Sequence, residues 1–288
     1  MSEPNAYLLD LSSHGRIRAT GDDRARLLHA LTTNHIQQLK PGGHAYAFFL
    51  TAQGRIIADA HILCFEDSLL IDTEPETRAT LLAHIDHYII ADDVALEDET
   101  ATTFSVGVEG PGAGELVSRV APDHLTLVPI SATGAGGFRI YGPLDRRGEV
   151  WHSFLAAGAI AGNLHALRVE HFRPRYGEDI TDKTLPQETG LPNALHFQKG
   201  CYLGQEIVER IRSQGQVHRI LSGLEFDASE APPPGTEVFA EETAAGKITS
   251  SSGRFAIARL RVLNAKPGTA LSAPAHGPYA VTKPIPAA

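Results

Sequence analysis

The chain has 288 residues, 42% hydrophobic and 20% charged, an ordinary globular composition that excludes a disordered or low-complexity protein. Its net charge of -9 argues against direct nucleic-acid binding, which needs a basic footprint on phosphates. Two cysteines, Cys64 and Cys201, cannot build a disulfide framework, and no apolar run reaches the roughly 18 residues of a membrane span. The opening residues MSEPNAYLLD lack the pattern of a secretory leader, so a reducing, cytoplasmic setting away from membranes is expected.

Alternation predicts a short strand over Gly15–Thr20, followed by a helix that places Leu27, Leu28 and Leu31 on one face. From His44 to Thr73 three strands are expected, the last two joined by a hairpin at Glu66-Asp67. Pro75 opens a helix with apolar positions at Leu81, Leu82, Ile85 and Ile89, and VALED returns as a strand. A second α+β unit starts near Thr103, with strand, glycine turn, helix, two strands and two helices up to His171. Residues 172–200 read as an ordered loop before a helix at EIVERI. After Pro232-Pro233-Pro234, short alternating segments suggest a small β-barrel.

Few spacings carry chemistry on their own. Gly110-Pro111-Gly112-Ala113-Gly114 has the wrong spacing for a dinucleotide loop and reads as a structural turn. The fourteen histidines form no HExxH, so no metal site is expected. Cys201 lies in Lys199-Gly200-Cys201-Tyr202-Leu203-Gly204-Gln205-Glu206, ahead of a helix. A neighbouring lysine and a helix N-terminus would activate its thiol, while a small buried hydrophobe is an equal alternative. Asp59 shares a strand face with His61 and points either into a cavity or to solvent. Residues 168–219 hold eight basic and seven acidic side chains, so basic groups concentrate there in an otherwise acidic chain. That stretch suits either a solvated face or the binding of a small anion.

KGCYLGQEIVER followed by GQVHRIL resembles the signature of YgfZ-type proteins, folate-binding members of the glycine-cleavage T-protein (aminomethyltransferase) superfamily. TGDDRARLLHALTTNHI, AQGRIIADAHIL, VGVEGPGAGELV, LRVEHFRPRYGEDI and GTEVFA…GKITS…AIARLRV extend the resemblance along nearly the whole chain. It implies a ring of α+β units around a central folate cavity, spanning 1–220, with a subdomain near 44–102 inserted and a barrel over 221–288. By resemblance the cofactor is tetrahydrofolate or a derivative. Asp59 would face its reactive nitrogens, Glu170 would bind the pterin edge, and Arg219 with Arg168 would sit near the glutamate tail. Cys201 would be the functional thiol, supported by Lys199, Gly200, Tyr202, Gly204, Gln205 and Glu206.

The chain departs from T-proteins at Ala58, where a second acid usually stands, and at Arg55, which replaces a glycine. The implied role is an accessory factor for iron–sulfur cluster assembly or repair, acting with assembly or client proteins and supporting tRNA modification indirectly. The alternative is a folate-dependent one-carbon transferase, either an aminomethyltransferase or a demethylase. Two cysteines are too few for this chain alone to hold a cluster.

Overall fold

The computed structural model describes residues 6–122, 124–215, 217–273 and 279–286. In chain order, β1 (Tyr7–Asp10), β2 (Gly15–Thr20) and α1 (Arg24–Leu31) precede β3 (His44–Leu50), β4 (Ile56–Cys64) and β5 (Ser68–Thr73). Helix α2 (Arg78–His87) and β6 (Ala95–Asp98) lead to β7 (Thr103–Glu109), α3 (Ala113–Val120), β8 (Thr126–Val128) and β9 (Gly137–Pro143). Then come α4 (Arg147–Ala156), β10 (Ile160–Ala161), α5 (Leu164–Glu170) and, past a long loop, α6 (Gln205–Gln214). Six strands follow: β11 (Arg219–Phe226), β12 (Glu237–Ala240), β13 (Thr243–Ser252), β14 (Phe255–Arg261), β15 (Ala270–Ser272) and β16 (Tyr279–Lys283). Strands β1 and β10 escape the hydropathy reading because four and two residues are too few to show a period.

The first sheet has the order β3-β4-β5-β2-β6, antiparallel throughout. One face carries Ile17, Ala47, Phe49, Ala58, Ile62 and Ile71 into a core closed by α1 and α2 through Leu28, Leu81 and Ile85. The second sheet runs β10-β1-β7-β9-β8 and buries Leu8, Phe104, Val106 and Ile140 beneath α3 and α4. β2 to β6 all fall in sequence between β1 and β7, so the first sheet interrupts the second, beginning at residue 15. Each sheet thus satisfies one face with its own helices and leaves the other for its neighbours.

The last six strands close into a barrel, β11-β14-β13-β12-β15-β16, around Leu224, Val238, Ile248, Ala258 and Leu260. A separate cluster joins Phe48, Leu50 and Ile56 to Leu191, Val208, Leu221 and Ile257. This cluster seats the first sheet against the 180–208 segment and the barrel. Gly204, at φ 83°, is obligatory there: a Cβ would lie 2.6 Å from the Thr51 carbonyl oxygen.

Candidate functional site

The site grows from the alternation of β4 and β5. Antiparallel register sets His61 between Tyr46 and Asp72, and Asp59 opposite Phe48. Ala58, Ala60 and Ile62 of β4 enter the helix-covered core, so Asp59 and His61 project from the other face. Glu74, just past β5, lines the same narrow cleft with Asp59, His61 and Asp72. Across the gap stand Arg139 from β9 and Arg168, Arg173 and Arg175 from α5 and its following loop.

This cleft is short of hydrogen bonds. Tyr46 Oη donates to Asp59 Oδ2 at 2.6 Å, whereas Asp59 Oδ1 is buried with no donor among the described residues. His61 Nδ1, Glu74 Oε2, Arg139 Nε and Arg168 Nε are likewise buried and unpartnered there. Glu74 Oε2 is 3.0 Å from Arg175 Nε, an ion pair misaligned for a hydrogen bond. Burial with nearby Asp59 raises the Tyr46 hydroxyl well above its ordinary range, keeping it a donor. Burial, then Arg139 and Arg173, pulls the His61 ring well below its usual value, so it is neutral at pH 7. Burial lifts the Glu74 carboxyl despite the opposing pull of His14, and Asp59 adds to the lift.

Asp72 behaves oppositely. Burial would raise its carboxyl, but Arg139 Nη1 at 2.9 Å, His14 Nδ1 at 3.1 Å and Tyr141 Oη at 2.7 Å hold it well below the carboxylate range. The Arg139 and Tyr141 contacts run from β5 to β9 and join the two sheets at the floor of the cleft. Arg173 stacks on Tyr46 at 4.8 Å, and its guanidinium makes no side-chain hydrogen bond or ion pair among the described residues. The cleft opens into a cavity of about 640 Å³, sharing Tyr46, His61, Ser131 and Arg173 with it. Such a volume suits a small organic ligand, whose pockets span roughly 300–1,000 Å³.

The residues singled out from sequence scatter. Asp59 faces the cleft. Arg168 lines it too, but its guanidinium is spent on Asp179 at 2.8 Å, Glu178, Ser250 at 3.0 Å and the Arg173 carbonyl. Glu170 is exposed and lines neither cavity, because α5 buries Leu167, Arg168 and Val169 and the next residue turns outward. Arg219, the first residue of β11, is also exposed and outside both cavities. Arg173, Glu74 and Arg139 were missed as site residues. Only the density of basic residues around Arg173 hinted at one of them.

Cys201 is exposed and lines neither cavity. The two activating influences expected of its surroundings are directed elsewhere. Lys199 is buried and donates from Nζ to the His29 and Thr32 carbonyls at the end of α1, while burial draws its amine down to about 7. Helix α6 is capped at Gly204, three residues beyond the cysteine. Gly200, at φ 97°, Tyr202, buried, and Gln205, whose Oε1 accepts from the Tyr202 amide at 3.2 Å, shape the loop. Glu206 forms an exposed ion pair with Arg210 at 2.6 Å. Among the described residues no cluster of three or more histidine, cysteine or carboxylate side chains is arranged to hold a metal, and no helix is long and apolar enough to cross a membrane.

Two interlocked α+β sheets that share a carboxylate-bearing cleft, followed by a closed six-stranded barrel, define an aminomethyltransferase-type fold. Aminomethyltransferase T of the glycine cleavage system from Bartonella henselae superposes with a TM-score of 0.86 at 18% identity, over 98% of this chain and 86% of that one. Residues 3–127 match the GCVT N-terminal domain and residues 219–287 the CAF17 C-terminal β-barrel domain. The chain belongs to the glycine-cleavage T-protein superfamily, in the YgfZ/CAF17 branch that carries this barrel. A chloroplastic transferase-like protein of Arabidopsis thaliana is 30% identical over 85% of this chain, which spans 62% of that relative's length. The aminomethyltransferase of Geobacillus kaustophilus is 27% identical over 86% of this chain and 75% of its own.

Proposed function

We propose that the chain binds a reduced folate, tetrahydrofolate or a derivative, with the pterin end toward Asp59, and works as a cytoplasmic accessory factor for iron–sulfur cluster assembly or repair. Tetrahydrofolate is the cofactor used in this family of folds. The observation that carries the binding half is Asp59 Oδ1, buried and without a donor. Such an oxygen costs free energy until N–H groups reach it, and a reduced pterin is rich in N–H donors along one edge. Tyr46 fixes the carboxylate, and Arg173 supplies a cation beside it. The ligand supplies a one-carbon carrier; the chain's own residues bind it, orient it and set the proton at its nitrogens.

The accessory half rests on the exposed Cys201, which lies outside both cavities, so its thiol meets a partner protein rather than the ligand. Support for tRNA modification follows indirectly, through cluster-containing enzymes. A second reading, one-carbon transfer, draws on the same Asp59: a carboxylate aimed at a ligand nitrogen can tune that nitrogen as a nucleophile.

Titration calorimetry with tetrahydrofolate tests the binding half; Asp59→Asn should weaken affinity about 30- to 100-fold, from one lost charge-assisted bond. Equal affinity in both proteins would remove Asp59 from the site. In a strain lacking the gene, wild type but not Cys201→Ala should restore activity of a [4Fe–4S] enzyme. Release of methylenetetrahydrofolate from an aminomethyl donor would establish the transferase reading instead.

A further inference from the structure

Three carboxyl groups compete for Arg175 at one end of the cleft. Its Nη2 lies 2.6 and 2.8 Å from the two oxygens of Glu76, and its Nη1 is 3.3 Å from Glu178 Oε1. Glu74 has the poorest share: its Oε2 is 3.0 Å from Nε but misaligned, and is left buried without a hydrogen bond among the described residues. Burial would raise the Glu76 carboxyl, but the Arg175 contact outweighs it and lowers that group. At Glu74 burial prevails, Asp59 adds to the lift, and His14 and Arg175 oppose it. Glu74, rather than Glu76, is therefore the carboxyl that retains a proton.

A base stands next to it. His14 is buried, lines the same cleft and presents Nδ1 to Asp72 Oδ1 at 3.1 Å. Against the effect of burial, Arg139 and Tyr141 help hold Asp72 as a fixed anion. Nδ1 therefore carries the hydrogen, and the neutral ring has its lone pair on Nε2. Arg16 fastens the backbone here, donating from Nη1 to the His14 carbonyl at 2.7 Å. His14 Nε2 is 3.9 Å from Glu74 Oε2. Closing about 1 Å by side-chain rotation brings the two to hydrogen-bond distance. An imidazole oriented by a carboxylate on one nitrogen is well placed to accept a proton on the other.

We infer that Glu74 and His14 are an internal proton pair: when the ligand's N–H donors reach Glu74, its carboxyl proton passes to His14 Nε2. The carboxyl O–H bond breaks, an Nε2–H bond forms, and no proton leaves the protein. The inference rests on the folate reading above, which brings N–H groups to Asp59 and its neighbours. A donor to a carboxyl oxygen favours the ionised form, and the resulting imidazolium lies between two carboxylates that favour its charge. The ligand thus meets a second carboxylate beside Asp59 while the net charge of the cleft is unchanged.

The surrounding groups keep the count at one proton. Asp59 from β4 and Asp72 from β5 favour a proton on the pair. Arg16 from β2, Arg139 from β9, Arg168 from α5, and Arg173 and Arg175 beyond it oppose a second one. Burial and the neighbouring carboxylates keep Tyr46 and Tyr141 protonated, and burial with Arg139 keeps His61 neutral.

Nitrogen-15 NMR of the histidine-labelled full chain at about pH 7.5 reads the transfer directly, with saturation by tetrahydrofolate followed by calorimetry. His14, identified by the signals lost in His14→Gln, should show an unprotonated Nε2 in the free protein and a protonated one at saturation. Calorimetry in buffers of different ionisation enthalpy should find no net proton exchanged on binding to wild type. His14→Gln lacks the acceptor, so it should release a proton to the buffer and lose affinity up to about tenfold per unit fall in pH. In Glu74→Gln, which has no proton to give, His14 Nε2 should stay unprotonated with ligand bound. An Nε2 protonated before binding, or unprotonated at saturation, overturns the pair and leaves the folate reading intact. Protonation that persists in Glu74→Gln overturns Glu74 as the donor. Failure of tetrahydrofolate to bind overturns both readings.

Discussion

The cleft under Asp59 and the loop carrying Cys201 are assembled on opposite principles. In the cleft, charged and polar groups are enclosed and several of their atoms have no hydrogen-bond partner. In the loop the polar groups are tied down: Lys199 Nζ to two carbonyls of the α1 terminus, the Tyr202 amide to Gln205, the Leu203 amide to the Ala30 carbonyl. Cys201 itself is exposed. An enclosed set of unmet donors and acceptors is suited to a small molecule that brings the missing partners. A rigid loop with one exposed nucleophile is suited to something too large to enter a cavity. On the proposed reading the two regions serve different partners, and substitutions should separate them.

The largest effect is expected at Asp72, which holds the sheets together below the cleft. Asp72→Ala strands a buried Arg139 and should cost about 3–5 kcal/mol of stability, measurable by urea denaturation. A loss below about 1 kcal/mol would mean that the network is dispensable. Because the folded carboxyl lies below its unfolded value, this contribution is present above about pH 4 and disappears on acidification. Wild type should lose stability on acidification more steeply than Asp72→Asn.

Next comes Gly204→Ala, which forces a Cβ against the Thr51 carbonyl at a positive φ. It should cost about 1–3 kcal/mol and loosen the Cys201 loop together with the first sheet. Unchanged stability would show that the α6 junction relaxes freely. At Asp59 the sign reverses: Asp59→Asn should weaken ligand binding while leaving stability within about 1 kcal/mol, because it removes a carboxylate with one unmet oxygen. The smallest effect belongs to Cys201→Ala, within about 0.5 kcal/mol of wild type, as for other exposed positions. A large loss there would end the contrast between the two regions.

Much of the fold was legible because period-2 and period-3.6 patterns directly reflect which face is buried. The strands β3 to β5, helices α1 and α2 and the barrel segments all show them. The Thr33-Asn34 pair that follows α1, within the TGDDRARLLHALTTNHI stretch, has a physical basis: Thr33 Oγ1 donates to the Ala194 carbonyl at 2.6 Å and Asn34 Nδ2 to the Tyr46 carbonyl at 2.8 Å, tying the end of α1 to β3 and the 190s loop. The site was only half legible. Asp59 stood out because it interrupts an apolar strand. Glu74 and Arg139 did not, since a carboxylate after a strand and an arginine within one look like ordinary exposed residues until the second sheet covers them. Arg168 and Arg173 were separable only by tracing which guanidinium is already bound to Asp179 and Glu178. Glu170 and Arg219 were carried by resemblance, and in this chain the backbone turns both outward.

The alternation of β4 has one more consequence, for how the protein folds. Its two faces are chemically unlike, with Ala58, Ala60 and Ile62 on one and Asp59 and His61 on the other. If β4 slipped by one residue against β3 and β5 while the sheet was forming, a carboxylate and an imidazole would enter the layer under α1 and α2. That misaligned state would bury two ionisable groups without partners and would be rejected before the helices could seal it. The residues that give the cleft its ligand chemistry thus also act as a ratchet on strand alignment, so a variant that made positions 59 and 61 apolar would be expected to refold into mixed registers.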